Sequence, residues 1–184
     1  SSQLYNGNPI NVNSIRIIKA KAFGNNVLPS VTVGASYLMN VGHSTPIISL
    51  ITPNSNLYGA TGIFDNWWED WQRFSYVDYF SESNNLVFSQ QSGMQVDGGW
   101  GGSRSHPQHS FRLEFDHSVL GQGPVGGQFI PNRPNRQTYS NFYLRNGSNQ
   151  FLIYPYKDAV QEECMSGTTK NYYSAWRPVT VYIN

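Results

Sequence analysis

The stretch Phe111-Arg112-Leu113-Glu114-Phe115-Asp116 alternates apolar and charged residues at every position. Successive side chains of a strand point to opposite faces. Phe111, Leu113 and Phe115 therefore share one face, and Arg112, Glu114 and Asp116 the other. Upstream, Pro46-Ile47-Ile48-Ser49-Leu50-Ile51 is apolar on both faces, which predicts a buried strand. Val31-Thr32-Val33, continuing through Ala35, Tyr37 and Met39, reads as another strand, and Leu86-Val87-Phe88 as a short one. Ile15–Ala22 alternates too, but its phase switches between Ile17 and Ile18, which predicts a β-bulge. Downstream, Asn141–Leu144, Phe151–Tyr154 and Val179–Ile183 complete the set. Turn residues stand between these runs: Asn25-Asn26, Pro53-Asn54-Ser55-Asn56, Asn84-Asn85 and Ser166-Gly167. Arg145–Gln150, with Asn146-Gly147 inside it, reads as a hairpin loop. Short strands parted by polar turns predict an all-β fold, an antiparallel β-sandwich or jelly-roll-like domain, single over 1–184.

Composition agrees. Only 12% of the 184 residues are charged, about half the usual share. Amides, hydroxyls and glycine replace the charges, and the strong helix formers are few, which excludes a helical bundle. An aromatic share of 15% excludes disorder. The net charge of +1 is too neutral for a general nucleic-acid binder. No apolar run is long enough for a membrane span. Cys164 stands alone, so no internal disulfide forms; this fits a bacterial, phage or viral protein better than a secreted eukaryotic one. Residues 65–82 hold Asp65, Glu69, Asp70, Asp78 and Glu82 against Arg73, whereas 121–157 hold Arg133, Arg136, Arg145 and Lys157 without an acid. These are either scattered loop charges or complementary patches on a self-associating protein.

Phe64, Trp67, Trp68, Trp71 and Phe74 have helical spacing, and Asp65 is placed to cap a start, so one short helix is expected over about 64–74. Trp67, Trp68 and Trp71 beside Asn66 and Asp70 combine rings that stack on sugar C–H faces with groups that bind hydroxyls. Trp100 stands among four glycines, flanked by Asp97 and Arg104, and is a second candidate ligand platform. Arg133 and Arg136, on a proline-stiffened loop, form a third patch, suited to carboxylate sugars.

His106, His109, Glu114 and His117, followed by Gly121, partly resemble the first motif of the cupins, which lines a metal site in a β-barrel. Here the first pair is His-x-x-His where the cupin pattern has His-x-His, and no histidine follows His117 for the second motif, so no metal or other cofactor is expected. Glu114 and Asp116, on one strand face, have a spacing that could serve a glycosidase, and no catalytic residue is assigned.

The composition is similar to that of receptor-binding tips of phage tail fibres, viral spike domains, lectins and carbohydrate-binding modules. The expected function is recognition of a glycan or cell-surface receptor, outside the cell or on a virion surface. A homo-oligomer is expected, a trimer if the chain is virion-associated. The alternatives are a structural capsid or fibre protein without a small ligand, and a glycan-active hydrolase.

Overall fold

The computed structural model describes residues 3–99, 102–147, 152–167 and 174–184. The elements in chain order are β1 (Arg16–Ala20), β2 (Val33–Tyr37), β3 (Ile47–Ile51), α1 (Asn54–Leu57), β4 (Arg73–Phe80), β5 (Leu86–Asp97), β6 (Ser110–Glu114), β7 (Val125–Gly126), β8 (Thr138–Tyr139), β9 (Asn141–Leu144), α2 (Lys157–Ser166) and β10 (Thr180–Ile183). The fold is all-β and sandwich-like. A six-stranded sheet in the order β10-β3-β4-β5-β6-β9 is its centre, with β1–β2 and β7–β8 as separate two-stranded sheets.

The alternation at 111–115 does what its pattern implies. Phe111, Leu113 and Phe115 are buried. Across the sheet, Ile48 stands opposite Tyr79, Leu50 opposite Val77, Met94 opposite Leu113, and Phe111 opposite Leu144. These residues form one apolar face, covered by Leu57, Ile63, Phe129 and Tyr139 from the segments that cross it. Each fully buried side chain of this size contributes about 1.5–3 kcal/mol.

The opposite face is polar but also partly covered. Ser49 and Asp78 face the β1–β2 hairpin. The Ser36 N–H donates to Asp78 Oδ2 at 2.7 Å, and the Ser36 hydroxyl to Ser49 Oγ at 2.8 Å. A Cβ on Gly34 would lie 2.9 Å from Ile51 Cγ2, so glycine permits this close approach. With a layer on each side, all of β3 is buried.

Several expectations need correction. No helix spans 64–74. Residues 58–70 run as separate turns, such as Gly62 N–H to Gly59 C=O and Glu69 N–H to Asn66 C=O, and β4 begins at Arg73. The reason is local competition. Asp65 accepts the Gly59 N–H at 2.6 Å instead of capping, and the Asn66 amide donates to the Gly59 and Gly62 carbonyls. The two helices lie elsewhere, at α1 and α2.

The sheet is not purely antiparallel, because β10 runs parallel to β3. No bulge interrupts β1, which pairs in unbroken register from Arg16↔Tyr37 to Ala20↔Val33. Of the expected strand 151–154, residues 152–154 form no strand and lead to α2, while residue 151 and residues 148–150 of the expected hairpin loop lie outside the described residues. β5 is far longer than Leu86–Phe88. Its polar middle is held by side-chain bonds, Ser89 Oγ to Asp78 Oδ1 at 2.6 Å and Gln91 Nε2 to Tyr76 Oη at 2.9 Å.

Candidate functional site

Two stretches distant in sequence meet at one end of the sheet: the turns over 58–71 and residues 102–109, which lead into β6. At Gly98 the backbone takes φ +118°, and a Cβ there would sit 1.8 Å from Ser103 Oγ; only glycine lets the loop turn back. Ser103 Oγ then donates to the Asp97 carbonyl at 3.3 Å. The Arg104 side chain runs inward and is 7% exposed. Its Nη2 meets Asp70 Oδ1 at 2.5 Å, and its Nη1 meets the Trp68 carbonyl at 3.5 Å. A buried guanidinium needs a counter-charge, so Arg104 fixes Asp70 at the surface, where that carboxylate is 79% exposed.

His109 braces the same loop. Its Nδ1–H donates to the Arg104 carbonyl at 2.8 Å, and its ring lies 4.8 Å from that of Phe64. Burial pushes the His109 pKa below the ordinary histidine value, against the opposing effect of the Arg104 carbonyl.

The three tryptophans of the turn divide their roles. Trp67 and Trp71 pack against the core, and Arg73 sits 4.8 Å over the Trp71 ring, occupying one face. Trp68 is 39% exposed, set edge-on to Trp67 at 5.6 Å. Trp68, Asp70 and Arg104 thus form one constellation: a partly exposed tryptophan, an exposed carboxylate and the guanidinium that meets the Trp68 carbonyl and the Asp70 carboxylate. Asn66, expected as a hydroxyl ligand, has its amide N–H groups committed to the Gly59 and Gly62 carbonyls. Asp97 ends β5 opposite Ser110, at the root of the loop. Trp100 lies outside the described residues.

Arg133 and Arg136 belong to a different part of the molecule. They sit on successive turns, Arg133 N–H to Ile130 C=O and Arg136 N–H to Arg133 C=O. Arg136 stacks over Tyr139 at 4.7 Å. Both line a cleft of about 2430 Å³ whose wall also holds Tyr143, Arg145, Tyr156 and Trp176. Those four come from β9, its flank, the approach to α2 and the approach to β10. Their separation in sequence left no local signal for sequence reasoning to find.

The acidic and basic stretches do not face outward as two opposed patches. Asp70 pairs with Arg104, Glu82 with Arg177, and Arg145 with Asp158, while Asp78 is buried. The carboxylates Glu114 and Asp116 part company as well. Glu114 is buried and bonded to Arg112 at 2.6 Å, whereas Asp116 is exposed beyond the end of β6, where the Phe115 and Asp116 N–H groups both meet the Ser140 carbonyl. Glu114 is therefore not on a solvated face. His106, His109 and His117 are not drawn together either: His109 bonds backbone, and His117 lies beside Asp116.

Comparison with known proteins gives no match to a family model, a curated protein or a solved structure. Fold and site together define a class: an all-β, sandwich-like protein with an aromatic and charged surface at one end of its sheet and a large arginine- and tyrosine-lined cleft. Among the described residues, no helix is long and apolar enough to cross a membrane.

Proposed function

We propose that this chain is a recognition domain of an extracellular or virion surface, binding a carbohydrate receptor at Trp68, Asp70 and Arg104. One observation carries the reading: in one turn, a tryptophan 39% exposed is followed two residues on by a carboxylate that a buried arginine holds in place. A pyranose stacks on such a ring and offers hydroxyls to such a carboxylate. The guanidinium supplies preorganisation, which reduces the ordering cost of binding. Amide and hydroxyl groups dominate the polar composition and suit adaptable hydrogen bonding to sugars. Arg133 and Arg136, beside Tyr139 and Tyr143, offer a second contact region.

The test is a broad glycan array that includes bacterial surface polysaccharides. A defined set of hits is expected, weakened at least tenfold by Trp68→Ala and by Asp70→Asn. A blank array from folded protein, or hits indifferent to both substitutions, removes the reading. A second reading, a structural virion or fibre protein, has its own support in the apolar N-terminal residues left exposed, among them Leu4, Tyr5, Phe23 and Leu28.

A further inference from the structure

The β1–β2 hairpin differs from the rest of the surface in two respects. The first is its apolar outer part. Phe23 is 75% exposed and Leu28 94%, and Val27, Val31, Val33 and Tyr37 are exposed as well. Phe23, Val27 and Leu28 stand at the tip, where Asn25-Asn26 turns the chain and Asn26 takes φ +58°. Hydrogen bonds hold this tip in shape. The Ser30 N–H donates to the Ala22 carbonyl at 3.0 Å, and the Ala22 N–H donates to Ser30 Oγ at 2.9 Å. The hairpin's inner side is docked on the central sheet through Ser36, Ser49 and Asp78. Exposed apolar patches of this kind mark interaction surfaces.

The second respect is charge. Residues 1–64 contain Arg16, Lys19 and Lys21 and no Asp or Glu. Elsewhere guanidinium groups are matched by acids: Arg104 by Asp70, Arg112 by Glu114, Arg145 by Asp158 and Arg177 by Glu82. Among the described residues, Arg16 and Lys21 have no carboxylate within ion-pair reach. The Lys21 ammonium lies 5.5 Å over the Phe23 ring, at the base of the tip. Lys19 is committed to the Thr52 carbonyl at 2.9 Å. We propose that this hairpin rests on an anionic lipid surface. Phe23, Val27 and Leu28 enter the headgroup boundary, and Arg16 and Lys21 stay at the level of the phosphates. The aliphatic tip offers no hydrogen bond to a base or a sugar. Apolar side chains backed by unmatched cations fit an interface that is itself apolar beneath and anionic above. Trp68, Asp70 and Arg104 take no part, so lipid contact does not depend on glycan binding.

Vesicle cosedimentation of the full chain tests the contact. Binding is expected to vesicles of phosphatidylcholine mixed with phosphatidylserine. It should be much weaker to phosphatidylcholine alone and fall as salt rises. Val27→Ser with Leu28→Asp is expected to abolish sedimentation with the mixed vesicles. Arg16→Gln with Lys21→Gln is expected to weaken it by about tenfold or more. All four positions are exposed, and circular dichroism checks that each variant stays folded. Folded protein that ignores both kinds of vesicle, binds the two equally, or binds indifferently to either pair of substitutions would overturn the proposal. Oligomers seen by light scattering and dissolved by Val27→Ser with Leu28→Asp, without vesicle binding, would overturn it too and assign the tip to a second copy of the chain.

Discussion

β1 and β3 share a pair of adjacent isoleucines and have opposite fates. The pairs are Ile17-Ile18 and Ile47-Ile48. In β3 every residue is buried; in β1 none is. β3 lies between β10 and β4 and has a layer on each face, whereas β1 has β2 as its strand partner. Burial is thus a property of neighbours, and the same residues stabilise the chain unequally in the two places. Urea unfolding of Leu50→Ala in β3 should show the largest loss, about 2–5 kcal/mol from lost transfer energy plus a cavity. Equal losses from Leu50→Ala and from Ile18→Ala in β1 would erase the contrast.

The β1–β2 hairpin is held to the central sheet through Asp78 of β4. Replacing it with alanine leaves the Ser36 N–H and the Ser89 hydroxyl without their acceptor, at a cost of about 1–3 kcal/mol. Amide hydrogen exchange should then accelerate across β1 and β2 more than across β5. Uniform acceleration would mean that the hairpin is not docked through this carboxylate.

A smaller effect is expected from pH at the loop end of the sheet. The folded pKa of His109 is depressed by burial, so the unfolded chain takes up its proton first on acidification. The stability contributed by the neutral ring is therefore complete above the ordinary histidine value of 6.5 and falls as pH drops below it toward the folded pKa. Thermal melts from pH 7.5 to 5 should show a decline that His109→Gln reduces. The same decline in that variant would assign it to another group. Smallest of all, Val33→Thr on the exposed part of β2 should change stability by no more than about 0.5 kcal/mol.

Much of the sheet was legible because its signals are local. Period-two alternation placed β6 and the lines of Phe111, Leu113 and Phe115, and an apolar run on both faces marked β3 as buried. Asn26 and Asn84 adopt positive φ, both within turns read from their residue types. The failures have equally specific causes. The helical spacing of Phe64–Phe74 was real, but Asp65 and Asn66 bond the backbone themselves and β4 claims Arg73 onward. α2 buries no residue, so it carries no apolar stripe to detect. The polar middle of β5 resembles a loop until Asp78 and Tyr76 supply its partners.

The candidate site shows the same division. Trp68, Asp70 and Arg104 were each conspicuous as residue types, but in two separate stretches. Nothing in either stretch announced that Arg104 would be buried against Asp70, or that Trp67 and Trp71 would turn inward and leave Trp68 partly exposed. The sequence by itself determined the all-β class, the principal alternating strands and the chemical types available for recognition, because strand alternation and turn chemistry act over a few residues. The tertiary structure decided which isoleucines are core, which tryptophan faces solvent, and which charges cancel, because burial and ion pairing depend on segments that meet only when the chain has folded.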